Sequence, residues 1–214
     1  MTRAERREQL IEVARGLFAE RGLEGTSVEE IAAHAEVSKP VVYEHFGGKE
    51  GLYAVVVDRE VRAMHTAIRS ALTTPHAGAR RLIELGTLAL LDYIDACPDG
   101  FLIISRGSSA TSPEGSFATI LSDVASQAED LLAGQFSKTA FDPALAPMYA
   151  QMLVGLVALT GQWWLDNRDS GLAKDLVAAH VVNLAWNGMR HLETAPKLQR
   201  PAQDAGVAEP DGVG

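Results

Sequence analysis

Only one cysteine, Cys97, stands among the 214 residues. An intrachain disulfide and a four-cysteine metal site are therefore both impossible. The histidines do not fill that gap, because His34, His65, His76, His180 and His191 show no tight metal-ligand spacing. No glycine-rich run has the pattern that cradles phosphate, and Cys97 has no local nucleophile context. Catalysis would need a site assembled wholly from distant residues, so neither an enzyme nor a bound cofactor is expected. The first residues lack the basic, apolar, small-residue progression of a secretory leader, and a cytoplasmic protein is expected. Two-residue alternation between turns is missing as well, which excludes a sheet-based fold and leaves an all-α one.

A positive charge excess is also lacking. The formal net charge is −9, which argues against broad, charge-driven coating of nucleic acid. Residues 1–49 carry seven Lys/Arg and nine Asp/Glu, a net of −2, and leave −7 for the remainder. Any contact with DNA must come from a few placed groups on an acidic surface. Charge is wholly absent from 144 to 165, a run long enough to span a bilayer. It nevertheless holds Pro147, Gln151, Gly155, Thr160, Gly161 and Gln162 between flanking aspartates. A helix buried at a subunit interface is the expectation, with no membrane partner.

What is present is helical period almost throughout. Thr2 and Glu5 fit a capping box, and Leu10, Ala14, Leu17 and Phe18 then share one face. Ser27 and Glu30 form a second box that opens a short helix. After the turn at Glu36-Val37, Ser38 is placed to cap a third helix with Pro40 in its first turn. A long helix follows Gly47-Gly48, with Tyr53, Val57, Val61, Met64, Ile68 and Leu72 as its apolar stripe. Further helices are expected at 80–96, from Phe101, and at about 116–138, 145–167 and 172–193. The run 107–115 reads as a loop, and the Pro-, Gly- and Ala-rich end as disordered.

Two short helices joined by a tight turn form a helix-turn-helix unit, whose second helix enters the major groove. Here that helix runs Lys39-Pro40-Val41-Val42-Tyr43-Glu44-His45-Phe46. Val42 and Phe46, four apart, face inward, while Tyr43 and His45 offer groups able to bond phosphate. The stretches 25–32, 37–46 and 49–52 together resemble the signature of TetR-type (tetracycline-repressor-like) regulators, over about a quarter of the chain. The resemblance implies that Lys39, Pro40 and Val41, with Ser38 beside them, lie over bases. It implies phosphate clamps at Tyr43, His45 and Lys49, and backbone contacts from Ser27 and Val28. Glu44, unusual near DNA, reads either as an acceptor from cytosine N4 or as a brake on affinity.

The remainder resembles that family in layout: a helical ligand-binding and dimerisation domain in which the last two long helices pair between subunits. Gly155, Ala158 and Gly161 would permit close helix approach, and Leu176, His180 and Leu184 lie beside a Val177–Val181 stripe. Met64, Tyr93, Phe101, Ile104, Phe117, Leu121, Met148 and Met152 are candidates to line an effector pocket, with Arg106 as a partner for an anionic group. The expected division is a three-helix DNA-binding domain at 1–48, a ligand-binding and dimerisation domain at 49–195, and a tail at 196–214. The expected function is a homodimeric repressor, released from a pseudo-palindromic double-stranded operator by a small, largely hydrophobic effector. The alternative is a constitutive or architectural DNA binder that takes no ligand.

Overall fold

The computed structural model describes residues 1–106 and 117–198. The expected loop at 107–115 lies outside the described residues, as does the expected tail from 199 onward. Among the described residues every regular element is helical: α1 (Arg3–Arg21), α2 (Val28–His34), α3 (Lys39–Phe46), α4 (Lys49–Leu72), α5 (Ala79–Ala96), α6 (Pro98–Arg106), α7 (Phe117–Phe136), α8 (Ala146–Asp166) and α9 (Lys174–Arg190).

Local chemistry sets the boundaries of the first three helices. Thr2 Oγ1 accepts from the Glu5 N–H at 3.2 Å, and Glu5 accepts in return from the Thr2 N–H at 2.6 Å. Ser27 and Glu30 repeat the arrangement at α2. Ser38 departs from expectation. Its backbone has N-cap geometry, but its hydroxyl accepts no capping hydrogen bond. Pro40 has no N–H to offer, and the Val41 N–H is already taken by the Ser38 carbonyl at 3.0 Å. The hydroxyl is left facing outward.

The turn between α2 and α3 is a Schellman closure: Val37 N–H donates to Ala32 O at 2.9 Å and Glu36 N–H to Ala33 O at 3.2 Å. It places Glu36 at φ 52°, the left-handed position that glycine usually fills. Gly47, at φ 74°, closes α3 more simply, with its own N–H donating to Tyr43 O at 2.8 Å.

Leu10, Ala14, Leu17, Phe18, Ile31 and Val42 from α1–α3 pack into one core, and Leu52, Tyr53 and Val56 of α4 and Ile103 of α6 complete it. Phe18 and Tyr53 meet edge to face, with centroids 5.0 Å apart. A second core gathers Met64 and Ile68 of α4 with Leu90, Leu91 and Ile94 of α5, Phe101 and Ile104 of α6, Ile120 of α7 and Trp164 of α8. A third joins Leu132 and Phe136 of α7 to Ala146 and Ala150 of α8.

Helix α4 therefore belongs to two cores, and its buried face differs from the predicted stripe. Leu52, Tyr53, Val56, Glu60, Met64 and Ile68 are buried, whereas Val57, Val61 and Leu72 are only half-buried. α1 covers one side of the helix and α5 and α6 cover another, which widens the buried face. Periodicity of apolar residues could not show that a glutamate stands in it.

The stretch Pro143–Asp166, which ends in α8, is long and apolar enough to cross a membrane, with a mean hydropathy of 1.5, and only part of it is buried within the chain. It packs on α7 and α5. One face remains bare: Met148, Met152, Leu159 and Trp163 are all exposed, and Leu176 and Leu184 of α9 are exposed beside them.

The turn yields a stability prediction. A left-handed conformation costs a residue with a Cβ roughly 1–2 kcal/mol, and glycine returns part of that gain as unfolded-state entropy. Glu36→Gly should raise the unfolding free energy by about 1 kcal/mol in urea denaturation, while Glu36→Val should lower it.

Candidate DNA-reading surface and central cavity

α3 is held by a buried foot and an exposed crest. Val42 is wholly buried, and Val41 and Phe46 rest partly on the same core. The Arg7 guanidinium lies over the Phe46 ring at 5.1 Å, and Gln9 Nε2 donates to Ala35 O at 3.1 Å. α1 thereby fixes both the helix and the turn before it. The exposed side carries Ser38, Lys39, Pro40, Tyr43 and Glu44, with His45 half-buried at its edge. Tyr43 is 55% exposed, a large aromatic side chain left in solvent on a small head.

Of the ten expected contact residues, Ser38, Lys39, Pro40, Tyr43, Glu44 and His45 lie on this crest, while Ser27 caps α2, Val41 rests partly on the core, and Val28 and Lys49 turn inward. Val28 is 7% exposed and packs in the head core, so only its main chain can meet a phosphate. Lys49 is turned inward, because its ammonium donates to Leu23 O at 3.0 Å and Thr26 O at 3.2 Å. It braces the α1–α2 loop against the start of α4 before it serves any ligand. Residues 23 and 26 positions away accept those bonds, a separation at which sequence patterns carry no signal.

The acidic residues on this face are also partnered. Lys39 and Glu29 form a close ion pair, and Arg3 lies 3.7 Å from Glu44. The hydrogen bond from Lys39 holds the Glu29 carboxyl below its ordinary range, with the Lys39 charge adding to it. Local repulsion of phosphate is thus reduced, and the expected base reader Lys39 is occupied in the free protein. The role of Glu29 went unread in the sequence because its partner lies ten positions away across a turn.

Behind the head, α4, α5, α7, α8 and the end of α9 line a half-open cavity of about 670 Å³. This lies within the roughly 300–1,000 Å³ usual for small-molecule sites. Met64, Ile68, Leu82, Leu121, Phe136 and Trp186 typify its apolar wall. Two polar groups on the wall are already satisfied: the Thr87 hydroxyl donates to Ile83 O at 2.7 Å and the Thr139 hydroxyl to Phe136 O at 3.0 Å. Arg190, at the end of α9, is the sole charged residue of the lining among the described residues.

Of the pocket residues expected from sequence, Met64, Phe117 and Leu121 are on this wall. Tyr93, Phe101 and Ile104 are not; they are buried in the second core beneath it. Met148 and Met152 are corrected outright, since they are 45% and 56% exposed on the bare face of α8. Arg106 is exposed at the end of α6, away from the cavity. Residue type suggested a lining, but the phase of each helix decides it. The small residues of α8 also divide: Gly161 faces Leu90 and Ile94 of α5, with room for less than a methyl group, whereas Gly155 faces open space.

An exposed recognition helix on a three-helix head, joined by one long helix to a second helical part, defines a helix-turn-helix DNA-binding regulator. Residues 10–56 match the model of the bacterial regulatory proteins of the tetR family. The chain is 33% identical over 196 residues to the HTH-type transcriptional activator FasR of Mycolicibacterium smegmatis, covering 90% of this chain and 86% of that one. Among solved structures it is similar to a TetR-like transcriptional regulator from Rhodococcus sp. RHA1, with a TM-score of 0.69, 24% identity and coverage of 90% and 100%. It is also similar to the fatty acid degradation regulator FadR from Bacillus halodurans, with a TM-score of 0.68, 19% identity and coverage of 87% and 97%. The chain belongs to the tetR family and is a DNA-binding transcriptional regulator.

The Glu29–Lys39 pair makes a prediction about DNA affinity. Glu29→Gln frees an ammonium and removes a negative charge from the reading face. Binding to random-sequence DNA should tighten, and the slope of log K against log salt should steepen by about one counterion per subunit. Filter binding across a salt series reads both. An unchanged slope would mean that Lys39 does not reach the duplex.

Proposed function

We propose that the chain is a cytoplasmic, homodimeric regulator whose operator affinity is set by an apolar small molecule in the central cavity. Residues 1–48 act as the reading head, and 49–195 as the sensing and dimerising part. Ser38, Lys39, Pro40 and Val41 address bases, Tyr43 and His45 address phosphates, and Ser27 and the Val28 main chain meet the backbone alongside. The observation that carries this reading is the course of α4, which starts at the reading surface and forms a wall of the cavity. A molecule that spreads that wall must tilt or shift the helix that carries the head.

A ligand can shift the heads only by the difference in its affinity for the two arrangements. Reversing a 99:1 preference needs about 5.5 kcal/mol, equivalent to roughly 220 Å² of additional apolar burial at 25 cal/mol per Å². A mostly apolar wall can supply that difference. Arg190 at its edge suits an acidic head group, and the likeness to a fatty acid degradation regulator makes a long-chain fatty acid the first probe to try. Repression by occlusion of the promoter is the primary reading. The relative matched over most of its length is named an activator, which favours a second reading in which the bound protein assists transcription.

Members of the family bind operator DNA as dimers. In this chain the bare stripe of Met148, Met152, Leu159 and Trp163, with Leu176 and Leu184 beside it, supplies a face for a second copy. Two-fold packing of that stripe accounts for an apolar helix without requiring a membrane.

Two measurements test this reading. Leu159→Glu, at a position 72% exposed in the single chain, should leave helix content unchanged and convert the dimer to a 22.9 kDa monomer in sedimentation; a wild-type monomer at micromolar concentration would contradict the interface. Palmitate at a hundred times its dissociation constant should add about 2.7 kcal/mol, or roughly 5–10 °C in melting temperature. Leu121→Trp, which fills the cavity, should abolish that shift while leaving operator affinity within about threefold of wild type, a change under 1 kcal/mol. If palmitate and a screen of other apolar molecules never stabilise the protein, a regulator without a ligand remains.

A further inference from the structure

Outside the reading surface and the cavity, one buried polar cluster stands at the junction between them. The Glu60 side chain, from the middle of α4, is buried at 4% exposure. Its Oε2 accepts from the Tyr93 hydroxyl at 2.8 Å and from the Cys97 thiol at 3.4 Å, both from the end of α5. Its Oε1 lies 3.6 Å from the Arg15 guanidinium of α1, whose Nε is buried with no hydrogen-bond partner. Gly100, in α6, leaves the space for this carboxylate, because a Cβ there would collide with Glu60 Oε2 and Cys97 Sγ. Four helices meet on one side chain.

A buried carboxylate without partners would be strongly unfavourable, and a hydrophobic residue of similar volume would fill the position more easily. Retaining a hydrogen-bond acceptor there fixes geometry, because a directional hydrogen bond tolerates less displacement than an apolar contact. Burial, reinforced by the nearby carboxylate, pushes the Tyr93 hydroxyl far above its ordinary value, and burial raises the Cys97 thiol. Both are neutral donors, so the carboxylate is the acceptor for each.

The position of the cluster along the chain gives it a role. Met64, one turn beyond Glu60 on α4, and Leu90, one turn before Tyr93 on α5, both line the cavity. Glu60 thus pins together the two cavity-lining helices at the end nearest the head, and through Arg15 it holds the head's first helix to the same point.

We propose that Glu60 is a positioning residue that fixes the angle of the reading head on the effector-binding part, and so sets the half-site spacing the protein accepts. A dimer reads two half-sites whose separation mirrors the separation of its recognition helices. A head held by one directional anchor accepts one spacing; a loosened head accepts several. The proposal rests on the dimeric reading above.

The test uses the full-length protein and the operator it recovers from a random DNA pool, remade with one or two base pairs added to or removed from its centre. Wild type should lose about tenfold in affinity for each altered spacing. Tyr93→Phe keeps the ring and removes only the donor to Glu60, and should discriminate between spacings about threefold or less at unchanged affinity for an isolated half-site. Gly100→Ala keeps every polar group but displaces the carboxylate, and should relax discrimination in the same way. Thermal melts identify a variant that has failed to fold. In that case the other variant decides. Spacing discrimination by both folded variants equal to that of wild type would overturn the role of Glu60 alone. Indifference to spacing in wild type itself would overturn the dimeric reading together with it.

Discussion

Everything in this molecule depends on one helix serving two cores at once. α4 is 24 residues long, about 36 Å of continuous helix. Its first two turns complete the packing of α1–α3 through Leu52, Tyr53 and Val56, and its last turns wall the cavity through Met64, Ile68 and Leu72. A continuous helix packed at native density is not freely deformable, so a displacement at one end must appear at the other or be absorbed at the cluster around Glu60. The head is consequently not a separately suspended module; Ile103 of α6 is also part of its core.

An acidic protein can still read DNA, for local reasons. The reading crest carries few cations, and its carboxylates are neutralised by Lys39 and Arg3 rather than left facing the duplex. Affinity must then come from a small number of contacts made in fixed register, with hydroxyls and main-chain N–H groups contributing beside the charges. Such a surface should be selective more than it is tight, because the sequence-independent part of binding grows with the number of neutralised phosphates.

Much of this organisation was legible in the sequence wherever the signal was local. Both capping boxes, the Val42 anchor and the helix order follow from residues three to four apart. What escaped were features set by contacts across the chain and by the phase of the later helices. Met148 and Met152 have the right chemistry for a pocket but sit on the opposite side of α8 from Val154 and Ala158, which line it. Val56 and Glu60, not Val57 and Val61, are buried in α4 because α1 covers one side of that helix and α5 and α6 cover another. Lys49 looked like a phosphate ligand, yet carbonyls more than twenty residues away claim its ammonium. A buried glutamate has no signature in an apolar pattern, since it is tolerated only by partners that the pattern does not reveal.

In the proposed function, occupancy of the cavity moves the reading heads through α4. Spin labels placed at the exposed Ser38 of each subunit report the distance between the two recognition helices directly by pulsed electron resonance. The expected outcome is one distance for the free dimer, a different one with palmitate bound, and a return to the first when Leu121→Trp fills the cavity. An identical distance in the free and palmitate-bound dimers, with binding confirmed by thermal shift on the same samples, would contradict it.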